Sequence, residues 1–404
     1  MTKNDIASTA LEEGKGILWL APAWVPREFC RPGKRIKLHP ADYYACGAAR
    51  GAIDERWLSS TTPADNGPGT PEDEGLSYVI TKNGDRILFK EVIDELKGSL
   101  IGDSLWKKYG RWALYSKFFD NLGPLPHHIH HNEYYASLVG MNSKPEMYFY
   151  PAQMNNHPGE FAYTFFGLNP GVTKEQLRET LVNFTKGDNR ITELSRAYKL
   201  TLDTGWDVPP GVLHAPGSLC TYEPQFASDV FAMYQSVLFG EHVVPGDLLW
   251  KNCPPDKIGD FDYLVEVVDW ETNVDPDFAA NRFMAPLPIN AEIAKEQGYL
   301  EEWICYKNPS ASAKRLTVDP GKKVKVTDAA CYGIIMLQGH GRFGNWDVET
   351  PTLIRYGDLT LDEFFVSEEA AKAGVEIENR SSVEPLVMLK HFSDNPELKI
   401  YNNR

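Results

Sequence analysis

Pro126-His127-His128-Ile129-His130-His131-Asn132 places four of the chain's ten histidines within five residues. In an extended strand, residues i and i+2 share a face, so His128 and His130 aim two imidazoles at the same interior while His127 and His131 face the other way. Two imidazoles on one strand are half of a metal centre. A carboxylate and a third imidazole from neighbouring strands would complete three N donors and one O donor. That set suits Zn(II), Fe(II), Mn(II) or Ni(II) and leaves positions for water or substrate oxygens. Two further stretches stand out downstream, Lys144-Pro145-Glu146-Met147 and Pro210-Gly211-Val212-Leu213-His214-Ala215.

Around this strand the pattern is short apolar and aromatic runs, such as Met147-Tyr148-Phe149-Tyr150 and Phe161 to Phe166, set apart by Gly, Pro and Asn. Such runs predict antiparallel strands. One helical excursion interrupts them within 172–200, where Thr173 and Gln176 form a capping box ahead of Leu177, Leu181 and Phe184. Strands resume at Tyr198 to Leu202 and at Val230 to Val237. Residues 240–302, rich in Asp and Pro, read as a connector. From Trp303 a second β block follows, with strands at Arg315 to Val318, Gly333 to Leu337 and Pro385 to Lys390. A short helix interrupts it, capped by Ser367 and closed by Gly374. Before the histidines, Val92, Ile93, Leu96 and Leu100 predict a helix near 90–99. Residues 17–70 show little sustained period, and 62–71 is almost entirely turn formers. The expected architecture is all-β dominated, with two β domains and helical insertions. Residues 1–100 are an irregular N-terminal region packed on the first domain, 101–240 that domain, 241–302 the connector and 303–404 the second domain.

The chain has 404 residues, enough for two or three cores. Its net charge of −15 argues against nucleic acid as a partner. The six cysteines stand singly with no C-x-x-C pair, so neither a zinc ribbon nor a disulfide scaffold is indicated, and a reducing compartment fits. Ile17 to Ala21 is too short to be a membrane span or signal core. A cytoplasmic protein, monomer or homodimer, with a small-molecule substrate is expected.

The motifs together resemble the class I phosphomannose isomerases, cupin-fold metal enzymes that interconvert an aldose phosphate and a ketose phosphate. That family has Gln-x-His, then Lys-Pro-Glu, then a distant Pro-Gly…His-Ala. Here His128 stands in place of the Gln, with His130, Glu146 and His214 at the other matching positions. The resemblance continues in Glu55-Arg56-Trp57-Leu58-Ser59-Ser60, Tyr115-Ser116-Lys117-Phe118, Tyr222-Glu223-Pro224-Gln225 and Ser228-Asp229, covering roughly 50–237. The C-terminal block, with Gly339-His340-Gly341 and Asp362 to Val366, looks like a second, degenerate cupin without a His-x-His pair. The resemblance therefore implies a bicupin of two jelly-roll barrels.

It also implies a divalent metal, Zn first with Fe, Mn or Ni as alternatives, held by His128, His130, Glu146 and His214. Glu133 is a rival ligand, because simpler cupins place Glu shortly after His-x-His. Glu223, Lys144 and Lys117 become the catalytic candidates, and Lys117, Lys144 and Asp229 the substrate contacts. The implied chemistry is aldose–ketose isomerisation through a cis-enediol. Where the family carries an arginine that handles the phosphorylated substrate, this chain has Met233, which offers a phosphate no donor. An unphosphorylated sugar is therefore left open. Two other classes fit the ligand set: a cupin dioxygenase using Fe(II) or Ni(II), and a non-catalytic sugar-binding cupin.

Overall fold

Short apolar runs punctuated by Gly and Pro form antiparallel strands throughout the computed structural model, which describes residues 2–28, 30–155, 161–238 and 240–398. One seven-stranded sheet runs Phe283–Met284, Gly205–Val208, Glu146–Phe149, Thr221–Phe226, Leu114–Phe119, Ala52–Leu58, Ala23–Arg27. A five-stranded sheet runs Ser195–Lys199, Tyr163–Leu168, His214–Ala215, His128–Ile129, Ala232–Met233. The C-terminal block contributes most of a nine-stranded sheet, centred on Ser312–Val318, Leu386–Phe392, Tyr332–Gln338 and Glu363–Val366, and a four-stranded sheet. Among the described residues none of the sheets closes on itself.

The helix stops written in the sequence are realised. Thr173 accepts from the Gln176 amide and Gln176 accepts from that of Thr173, capping Lys174–Val182. Ser367 caps Glu368–Ala373. Phe89–Leu96 is helical with Phe89, Val92 and Ile93 buried. The connector holds short helices at Phe261–Glu266, Trp270–Asn273 and Phe278–Arg282. Among the described residues, no helix is long and apolar enough to cross a membrane.

The aperiodic stretch 17–70 contains three strands, Ile17–Ala21, Ala23–Arg27 and Ala52–Leu58. The first pairs with Glu363–Val366 of the C-terminal block, whereas the third pairs with Leu114–Phe119. Every residue of the second and third is buried, so neither shows the in–out alternation that reveals a strand in sequence. One hydrophobic core runs through both blocks, joining Leu58, Phe118 and Tyr222 to Ile335, Phe365 and Leu389.

Candidate metal centre

Strand pairing sets the histidines. His214 lies directly opposite His128, and His130 follows one residue beyond the short strand. The three rings converge, with centroids 4.2 Å apart for His128–His214, 5.0 Å for His128–His130 and 5.1 Å for His130–His214. One ligand nitrogen from each lies within 4.8 Å of the other two. Each Nδ1 sits against a backbone carbonyl: Pro126 at 2.7 Å, Val230 at 2.8 Å and Val212 at 2.8 Å for His128, His130 and His214. A carbonyl only accepts, so Nδ1 carries the proton and Nε2 keeps its lone pair. Burial, then the neighbouring His214 and His130, pushes His128 well below its ordinary value. Burial and then Lys144 bring His130 to about 4. Neutral imidazoles with a fixed tautomer are what a metal requires.

Glu146 arrives from the other sheet. Its Oε1 lies 3.0 Å from His214 Nε2 and its Oε2 3.2 Å from His130 Nε2, and the Tyr148 hydroxyl donates to Oε1. Burial disfavours the Glu146 carboxylate, but His130 and Lys144 outweigh it and hold the group well below the usual range. With both nitrogens unprotonated, lone pairs face carboxylate oxygens at these distances. His214 Nε2 is buried without a hydrogen-bond partner. The donor set therefore fits a cation bound among the four side chains. The rival Glu133 is exposed in the first turn of the helix Glu133–Ser137. His127 and His131 are buried rather than superficial, and His127 Nδ1 lies 2.7 Å from Gln235 Oε1.

Behind the histidines, acidic and basic side chains alternate along a buried chain. The Lys144 ammonium lies 3.3 Å from Glu146 Oε2, 3.3 Å from His130 Nε2 and 3.8 Å from Glu223 Oε1. Lys117 lies 3.4 Å from Glu223 and 3.6 Å from Glu55. Arg27 grips Glu55 with two nitrogens, each at 3.2 Å, and Trp57 Nε1 donates to Glu55 at 2.6 Å. Register places Glu223 opposite Lys117 and Gln225 opposite Glu146. Burial raises Glu223 to about 8, against the pull of Lys117 and with the push of Glu146. Glu55 goes the other way, to about 2: burial opposes its charge, but Arg27 and Lys117 prevail. Burial also opposes the Lys117 charge, and Glu223 and Glu55 overcome it, raising that amine.

All eight residues singled out from the sequence thus line or back one pocket. Asp229 is partly exposed at the mouth, and its Oδ2 has no hydrogen-bond partner. Leu125, Phe231 and Met233 are the apolar residues lining a void of about 50 Å³. Sequence reasoning missed Arg27 and gave Glu55 no role. The available signal was charge set inside short apolar runs, Arg27 ending Ala23 to Arg27 and Asp54-Glu55-Arg56 flanked by Ile53 and Trp57 within Ala52 to Leu58. Tyr148 was also missed, although i+2 spacing from Glu146 puts it on the same face.

No family model and no curated protein sequence matches this chain. Solved structures do. The mannose 6-phosphate isomerase of Bacillus subtilis is similar at a TM-score of 0.62 and 15% identity, covering 93% of this chain and 99% of that one. A zinc-bound mannose 6-phosphate isomerase is similar at 0.61 and 12%, covering 94% and 100%. A phosphomannose isomerase variant from Salmonella typhimurium matches at 0.61 and 11%, with the same coverage. At these identities the likeness establishes a shared fold across nearly the whole of both chains.

Proposed function

We propose that the chain is a metal-dependent aldose–ketose isomerase acting on a sugar or sugar phosphate through a cis-enediol. The observation that carries this reading is Glu223, a buried carboxyl raised toward neutrality, set between two lysines beside three metal-ready imidazoles. The fold shared with phosphomannose isomerases supports it, as does reading each block as a cupin-type unit. His128, His130, His214 and Glu146 would hold the ion, Zn first and Fe, Mn or Ni as alternatives. That ion would supply Lewis acidity toward the sugar's carbonyl and hydroxyl oxygens.

The chain's own groups account for the proton. Glu223 takes the C2 proton of the aldose and returns it to C1, and a carboxyl near neutrality can do both. Lys117 and Lys144 donate hydrogen bonds to the oxygens that gain negative charge as the enediol forms. The void beside the histidines measures about 50 Å³, and its apolar lining is Leu125, Phe231 and Met233. The test is metal analysis of the purified chain, then NMR in D₂O with free and phosphorylated aldoses and ketoses. Deuterium entering C1 or C2 with isomer formation is expected. Isomerisation that survives full chelation rules the scheme out, and oxygen uptake tracking bound iron assigns a dioxygenase instead.

A further inference from the structure

Cations do not outnumber carboxyl groups in this pocket. Arg27, Lys117 and Lys144 stand against the carboxyl groups of Glu55, Glu146, Glu223 and Asp229. Arg27 is bound twice by Glu55 and again by Asn66 Oδ1 at 2.8 Å. Lys117 lies between Glu55 and Glu223, and Lys144 between Glu146 and Glu223. The apolar part of the pocket's lining is Leu125, Phe231 and Met233, and the partly exposed Asp229 lines the same pocket. Lys251, whose ammonium lies over the Phe231 ring, is itself paired with Asp65. A phosphoryl dianion needs a surplus of positive charge, which these side chains do not supply, and desolvating it beside Asp229 adds repulsion. An uncharged polyol needs the reverse: acceptors for its hydroxyls and apolar surface for its C–H faces. Asp229 Oδ2, buried and without a partner, is such an acceptor, and Leu125, Phe231 and Met233 supply the surface.

From this we infer that the site takes an uncharged, unphosphorylated sugar, with Asp229 accepting its hydroxyl hydrogens and Met233 and Phe231 covering its carbon face. The reaction is the one proposed above, so the inference rests on that reading for turnover but not for binding. Calorimetry on the metal-reconstituted full chain, titrated with a hexitol and with the same hexitol 6-phosphate, tests it directly. The hexitol is expected to bind more tightly by about tenfold or more. Met233→Arg is expected to shift the ratio toward the phosphate by about tenfold. Asp229→Asn, which keeps the size and removes the charge, is expected to weaken hexitol binding and ease that of the phosphate. Equal affinities, tighter binding of the phosphate, or no hexitol binding at millimolar concentration each overturns the inference. Isomerisation of aldose phosphates in preference to free aldoses also overturns it while leaving the isomerase reading intact. Hexitol preference with no aldose isomerised supports the inference and removes the isomerase reading.

Discussion

Replacing Glu55 by Gln removes one link of the alternating chain without touching any of the three histidines. The carboxylate is held at about 2 against an ordinary 4.5. At 1.36 kcal/mol per pH unit that difference corresponds to about 3 kcal/mol. A folded-state value below the unfolded one means this stability is present above pH 4.5 and lost as pH falls through about 2. The amide therefore forfeits it in full at pH 7. The same magnitude follows from the partners, since breaking a buried ion pair typically costs about 3–5 kcal/mol. Two residual contacts place the expected cost at the lower end: Lys117 keeps Glu223 at 3.4 Å and Arg27 keeps Asn66 at 2.8 Å. Urea unfolding followed by tryptophan fluorescence measures the loss, with Trp57 reporting locally because its Nε1 bonds Glu55. Metal content is expected to stay unchanged, while kcat falls by about 10- to 100-fold as the Lys117 ammonium loses one of its two anchors. A loss under about 1 kcal/mol, or a difference from wild type that widens rather than narrows below pH 4.5, refutes the reasoning.

His214→Ala removes one imidazole from a set of three. Zinc in thousandfold excess over its Kd stabilises a binding protein by about 4 kcal/mol. At the usual unfolding entropy per residue that raises the melting temperature of a chain this long by about 5 °C. The wild type is expected to show this rise and the variant to lose it, so an equal rise in both removes His214 from the ligand set. Acid provides a separate check through His391, whose ring burial alone lowers to about 3 and whose Nδ1 lies 3.0 Å from the Tyr222 hydroxyl. The folded state resists protonation that the unfolded chain accepts from pH 6.5 downward. Stability is therefore full above 6.5 and falls by about 2 kcal/mol for such a group by pH 5. His127 and His131, both lowered to about 4 and first of all by burial, add to the fall. His391→Gln is expected to flatten the pH dependence of the urea midpoint below 6.5, and an unchanged slope contradicts this account.

Much of the site was legible because its signals are local. A His-x-His pair declares its shared face by strand period alone, and the capping box at Thr173 and the N-cap at Ser367 declare their helices within four residues. What escaped depends on distant register. Arg27, Glu55, Lys117, Glu223, Lys144 and Glu146 form one chain only because Ala52–Leu58 pairs with Leu114–Phe119, which pairs with Thr221–Phe226, which in turn pairs with Glu146–Phe149. No sequence period spans those segments. Strand period puts His127 and His131 on the face opposite His128 and His130. The strand carrying them is covered on both faces, so its two histidine pairs differ in partners rather than in burial.

The C-terminal block shows why one cation site is enough for the fold. In its interior Lys390 donates to Glu301 and to Asp328, the latter at 2.7 Å. Lys314 lies 2.8 Å from Asp328, 3.3 Å from Glu301 and 2.6 Å from Glu397. Two buried ammoniums neutralise these carboxylates as a divalent ion would, and each engages more than one acceptor, so a metal would meet repulsion there. The block instead reaches the first site through a strand that it grips from behind. On Ala52–Leu58, successive residues face opposite ways. Glu55 points toward Arg27 and Lys117, while its neighbour Arg56 binds Asp362 at 2.8 and 2.7 Å and Glu363 at 3.2 Å. The Ser59 amide donates to Glu363 at 3.0 Å, closing the same clamp. Loosening Arg56 would therefore let the Glu55 strand shift and carry Lys117 with it, so the C-terminal block meets the candidate site by holding one of its strands in register.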